Sequence, residues 1–166
     1  MSFPDMTNFN SGNWNGWTNS DGTTEGLANE GDNYYWTGKF EIPESAPYIG
    51  TVLKKRFTIQ DDERDDFYVI EFGYRVRDLL PNEAQLVVFV LARESDYDRI
   101  TLDFDLDKTT AVDRWWGAST RAKKWFSGSD SQIRLCAASH SLDAGNSRSV
   151  DIDNISIKKV SESIII

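Results

Sequence analysis

The stretch Phe67-Tyr68-Val69-Ile70-Glu71-Phe72-Gly73-Tyr74-Arg75-Val76-Arg77 alternates apolar and polar residues. In an extended chain successive side chains point to opposite faces, so Tyr68, Ile70, Phe72, Tyr74 and Val76 share one face and Glu71, Arg75 and Arg77 the other. That is the pattern of an antiparallel strand buried on one side. Working outward, Leu86 to Ala92 is continuously apolar and β-branched, as a strand covered on both faces would be, whereas Ile100 to Leu106 returns to strict alternation. Leu53 to Ile59, Gln132 to Ala138 and Val150 to Val160 supply three more strands. No segment carries a 3.6-residue apolar stripe. Short strands at this spacing, with turn residues between them, predict an all-β antiparallel sandwich or barrel. The first third is rich in Asn, Gly, Thr, Ser and Asp, which favour turns, and is expected to be loops around short strands. Residues 1–166 show no internal repeat and no linker and are expected to form one domain.

Composition narrows the function classes. A chain of 166 residues can bury a sufficient core without staples. A formal net charge of -9 argues against nucleic acid and anionic membrane, because phosphate binding draws on clustered Lys and Arg. Cys136 is the only cysteine, so neither an internal disulfide nor a cysteine zinc site can form, and its apolar surroundings predict a buried thiol. The N-terminus lacks the basic and apolar regions of a signal peptide, so export by the general secretory route is not expected unless a leader has been removed; no run is long enough to insert in a bilayer. The tail Ile164-Ile165-Ile166 is expected either to cap the sandwich or to join a second copy in a homo-oligomer.

Two stretches at opposite ends resemble the galactose-binding-like jelly-roll superfamily, in particular its xylan- and glucan-binding carbohydrate-binding modules. Asn8-Phe9-Asn10-Ser11-Gly12-Asn13-Trp14-Asn15-Gly16-Trp17 is similar to their opening strand, and Val150-Asp151-Ile152-Asp153-Asn154-Ile155-Ser156-Ile157 to their closing one. The resemblance implies a jelly-roll sandwich and a structural calcium beside the terminal strands. Asp153 would be the acidic ligand, Asn10 would stand where the family often has Glu, and Asn8 would lend a carbonyl. A hard cation wants six to eight oxygens, and an amide in place of a carboxylate weakens the site. The alternative is that Asp153 and Asn10 bond strand-end amides.

Six Trp, six Tyr and nine Phe are a high share for a polar chain, although sandwich cores also use Trp, so the question is which rings point outward. Flat aromatic faces stack on sugar rings while Asp, Asn and Arg bond hydroxyls. Trp17 is expected in the core and Trp14 exposed. Extended geometry puts Tyr35 on one side and Tyr34 and Trp36 on the other, and one of Trp115 and Trp116 is expected in the core and the other free. Tyr97, in a charged loop, and Trp125, before a Ser-Gly turn, read as loop-borne platforms unless the loops plug the sandwich ends. Trp14, Trp36, Tyr97, Trp116 and Trp125 are thus candidate sugar contacts. Arg75 and Asp103 join them if their strands are neighbours on a concave sheet.

For catalysis the sequence offers little. Asp103 and Asp105 share a strand face, as a glycosidase pair would, but proximity is common in so acidic a chain. His140 is the only histidine and lacks a nucleophile elbow. The sequence therefore predicts non-catalytic carbohydrate binding, with a protein-interaction or structural module on the same scaffold as the alternative, and a lyase or glycosidase after that.

Overall fold

A computed structural model describes residues 3–19, 24–41, 44, 49–77, 85–92, 100–106, 113–126, 130–138 and 147–161. Eleven strands are present among them: β1 (Asp5–Thr7), β2 (Thr18–Asn19), β3 (Thr24–Glu30), β4 (Asn33–Glu41), β5 (Ile49–Thr58), β6 (Phe67–Val76), β7 (Gln85–Ala92), β8 (Ile100–Leu106), β9 (Trp116–Ser119), β10 (Asp130–Ala138) and β11 (Ser147–Val160). They form two antiparallel sheets. One runs β3-β4-β11-β6-β9 with β1 also paired to β11, and the other runs β2-β5-β10-β7-β8. The fold is an antiparallel jelly-roll β-sandwich.

The alternation in β6 decides the packing. Tyr68, Ile70, Phe72, Tyr74 and Val76 are all buried and face the five-stranded sheet, where Leu53, Phe57, Ile133 and Leu135 meet them. Burying an aromatic ring is worth enough that truncating one to alanine typically costs about 3–5 kcal/mol, so a core with this many rings holds the sheets firmly together. β11 is the longest strand and pairs with β4, β6 and β1 in turn, which brings the two ends of the chain together.

A bulge interrupts β11. Its register against β6 shifts between Asp153 and Ser156, with Asn154 at φ 51°. The inserted residue resets the parity, so Val150 and Ile152 on one side of the bulge and Ile155 and Ile157 on the other all point into the core. The sequence shows it: the apolar spacing runs two, then three, then two.

The first third is more regular than its composition predicts. β3 and β4 form a hairpin joined by Gly31 and Asp32, with Glu30 opposite Asn33. Gly31 sits at φ 62°, the conformation required at the first position of a two-residue turn of the kind that opens on glycine. β4 then runs for nine residues through the centre of a sheet.

Candidate functional site

The outer face of the six-stranded sheet carries the most organised cluster of polar and aromatic groups. Arg75 projects there from β6, between neighbours that face the core, yet it is buried. Its guanidinium lies between two rings, 4.9 Å from the centre of Tyr35 and 4.6 Å from that of Trp115. The two rings meet edge to face at 5.5 Å. Arg75 Nε donates to Asp151 Oδ2 at 2.7 Å and Nη1 to Glu30 Oε1 at 2.8 Å. Burial opposes the charge on Arg75, but its hydrogen bonds to Glu30 and Asp151 outweigh it and raise the pKa. Arg77, two residues on, donates from Nε to the same Asp151 oxygen at 2.6 Å and from Nη2 to the Tyr35 hydroxyl at 3.2 Å.

Strand geometry assembles this group. Asp151 is the register partner of both Arg75 in β6 and Thr37 in β4, so it stands at the middle of the sheet. Gly73 lies two residues before Arg75 on the same face. A Cβ there would meet the Asp153 carbonyl at 3.4 Å and the Trp115 ring at 3.8 Å, both ordinary van der Waals contacts. Trp116 begins β9 opposite Tyr74 and is 36% exposed, with Arg114 stacked 4.7 Å from its ring centre. Because Trp116 lies opposite core-facing Tyr74, the two indoles take opposite sides of the β9 edge, Trp115 on the outer face over Arg75 and Trp116 on the other side beside Arg114.

The aromatic expectations divide here. Trp116 is exposed as predicted, and Trp17 is buried as predicted. Neither member of the Trp115–Trp116 pair is in the core: Trp115 is half-buried on the outer face, because it packs on Arg75 and not between the sheets. Trp36 is not a free platform. It is fully buried between Leu27 and Ile152 and its Nε1 donates to Asn19 Oδ1 of the opposite sheet at 2.9 Å. Trp125 is fully buried too: its segment pairs with β6 through Lys123 and Tyr68, and the neighbouring Phe126 packs on Tyr68 and Phe57. Trp14 is half-buried, edge-on to Phe9 at 6.0 Å. Tyr97, His140 and the Ile164–Ile166 tail lie outside the described residues.

Arg75 and Asp103 do not share a surface. β6 belongs to one sheet and β8 to the other, where Asp103 lies opposite Val88. The acid that meets Arg75 is Asp151, which the sequence reading placed only in a strand resemblance. Its signal was available in the alternation Val150-Asp151-Ile152, which sets Asp151 on the polar face of a strand whose partner was unknown.

At the other end of the sheet, Asp153 is buried at the bulge. Its Oδ1 accepts the Asn154 amide at 2.7 Å, and its Oδ2 accepts side-chain amides of Asn154 at 3.1 Å and Asn33 at 3.2 Å. Burial raises its pKa against these lowering hydrogen bonds. Asn10 Oδ1 accepts the backbone amide of Tyr34, next to Asn33, and Asn8 Oδ1 accepts that of Asn10. Asp153 and Asn10 thus flank the same two residues at the start of β4.

With this geometry in hand, solved structures supply the comparison. A xylan-binding domain, CBM22-1 of Paenibacillus barcinonensis Xyn10C, superposes with a TM-score of 0.59 at 14% identity, covering 95% of this chain and 96% of that one. The fold is that of a carbohydrate-binding module. CBM27-1 of Caldicellulosiruptor saccharolyticus, solved with mannohexaose, shares this module fold at a TM-score of 0.63 and 11% identity, over 95% of this chain and 98% of that one. An arabinose-bound GH51 α-L-arabinofuranosidase, MgGH51, also contains it, with 24% of that chain covered by 89% of this one at 8% identity and a TM-score of 0.55. No family model matches the chain, and no curated protein matches it in sequence.

Proposed function

We propose that this chain binds carbohydrate without acting on it, and that Trp116, exposed at the β9 edge, and Trp115, on the outer face beside that edge, are its sugar-stacking rings. The observation that supports this is the pair of guanidinium-backed indoles at the β9 edge, Trp115 on Arg75 and the exposed Trp116 on Arg114, on a fold shared with a xylan-binding domain and a module solved with mannohexaose. A ring held by Arg75 and Tyr35 loses little freedom when a sugar stacks on it, and Arg77 and Glu30 stand beside it to bond hydroxyls. Titration of xylan and mannan oligosaccharides into wild type and Trp116→Ala provides the test. The variant should keep its melting temperature and bind about tenfold more weakly, or about 1.4 kcal/mol. Equal binding by both would remove Trp116 from the site; no binding of any glycan by the wild type would refute the carbohydrate reading and favour the protein-interaction alternative.

Calcium at the β11 bulge is the second part of the proposal. Asp153 is a buried carboxylate whose hydrogen-bond partners among the described residues are neutral amides, so a cation is what it lacks. Asp153 would hold the ion, with Asn10 and Asn8 contributing oxygens and the Asn33 and Asn154 amides turned to present theirs. A pKa raised in the folded state means that Asp153 subtracts from stability above that pKa, and that the penalty fades as pH falls toward its ordinary value. A bound cation would cancel the penalty at neutral pH. Chelation should then lower the melting temperature of the wild type by about 2–4 °C for each kcal/mol of binding lost, and leave Asp153→Asn unmoved. A wild-type melting temperature indifferent to chelator would show that no calcium is held there.

A further inference from the structure

The opposite face of the sandwich carries two cations, Lys54 and Arg134, that no acidic side chain among the described residues neutralises. In the five-stranded sheet, Lys55, Phe57, Ile133 and Leu135 point inward and are buried. Their neighbours Lys54, Arg56, Gln132 and Arg134 therefore face outward. The register sets Arg134 directly opposite Lys54 and Gln132 opposite Arg56, while Thr18 of β2 flanks Lys54 on its other side.

Like charges opposite one another on adjacent strands repel, with Cβ atoms only about 5 Å apart. Elsewhere this chain matches its cations with care: Lys55 with Asp5, Arg64 with Asp61, Arg75 and Arg77 with Asp151, and Lys158 with Glu71. Among the described residues, Arg134 and Lys54 have no ion-pair partner. Arg134 is half-buried, and its Nε is shielded from solvent without a hydrogen-bond acceptor. An uncompensated donor and a repelling neighbour, in a protein with 27 acidic and only 18 basic side chains, mark a place where an anion belongs.

We infer that the outer face of the five-stranded sheet is a second ligand surface, for a uronic-acid-containing polysaccharide whose carboxylate is held between Arg134 and Lys54. The planar guanidinium matches a carboxylate edge to edge and Lys54 adds a point charge. Gln132 and the Thr18 hydroxyl on the same face are neutral groups suited to sugar hydroxyls. A carboxylate-bearing sugar chain fits better than nucleic acid, because a net charge of -9 disfavours a surface that tracks dense phosphate. The surface is separate from the Trp116 platform and takes from that reading only the assumption that the ligand is a sugar.

The experiment is a titration of oligogalacturonate and its fully methyl-esterified, neutral counterpart into wild type, Arg134→Gln, Lys54→Gln and Trp116→Ala, each checked for an unchanged melting temperature. Wild type should bind the acid and not the ester, with affinity falling as salt rises. Either charge-removing variant should weaken that binding by about tenfold or more, equivalent to about 1.4 kcal/mol, and Trp116→Ala should leave it intact. Wild type that fails to bind the acid, or that binds acid and ester alike, overturns the inference. So does binding unaffected in both Arg134→Gln and Lys54→Gln, or abolished by Trp116→Ala, which would place the acid on the other face. Neutral xylan or mannan oligosaccharides binding at Trp116 while oligogalacturonate does not would leave the first site standing and remove only this one.

Discussion

Asp151→Ala should destabilise the protein by about 3–5 kcal/mol, the loss expected when one partner of a buried ion pair is deleted. Asp151 is fully buried and a single oxygen receives both Arg75 Nε and Arg77 Nε. Without it, Arg75 stays buried between Tyr35 and Trp115 with only the half-exposed Glu30 to balance its charge. The stack should loosen, so the variant should also lose whatever binding depends on Trp115. Arg75→Met combined with Asp151→Leu should recover most of the stability, because an apolar pair of similar volume avoids the desolvation of two ions. Urea unfolding of the three proteins measures this. A single-variant loss below about 1 kcal/mol, the range of an exposed pair, would show that the carboxylate does not hold the cluster.

An effect of similar size is expected at the N-terminal strand. Lys55 is 2% exposed and Asp5 6%, and Lys55 Nζ reaches both carboxylate oxygens, at 2.9 and 2.7 Å. Lys55 comes from β5 and Asp5 from β1, so the pair ties one sheet to the other. Asn15 completes the arrangement, donating to Asp5 Oδ1, to Thr7 Oγ1 and to the Met6 carbonyl. Asp5→Ala strands an ammonium in the interior beside Phe57 and should cost about 3–5 kcal/mol. Asp5→Ala with Lys55→Met should regain most of it, since the charge is then gone from both sides. If thermal unfolding finds the single variant as stable as the double one, the pair contributes nothing and β1 is held by its pairing with β11 alone.

These two pairs also show where sequence reading stopped. The order Leu53-Lys54-Lys55-Arg56-Phe57 gives three cations in a row, and alternation puts Lys55 on the same side as Leu53 and Phe57. The sequence thus contained an inward-facing lysine but not its partner, which lies fifty residues away in a three-residue strand. The same holds for the aromatics. Trp36 and Trp116 differ in exposure because Trp36 sits at the centre of a sheet facing the opposite one, and Trp116 at its edge. Trp125 is buried because its segment pairs with the edge of β6 at Tyr68, fifty-five residues earlier in the chain. Nothing in Lys123-Lys124-Trp125-Phe126 distinguishes a plug from a platform.

What the sequence determined by itself was the set of strands and the parity of each, because the two-residue period is a property of the extended backbone and needs no partner. The buried face of Phe67 to Val76 and the reset of parity at Asn154 both follow from it. Only the tertiary structure decided which strands are neighbours, and so placed Asp151 and not Asp103 against Arg75. Sheet pairing joins residues 76 positions apart, and no local property of either strand carries that information.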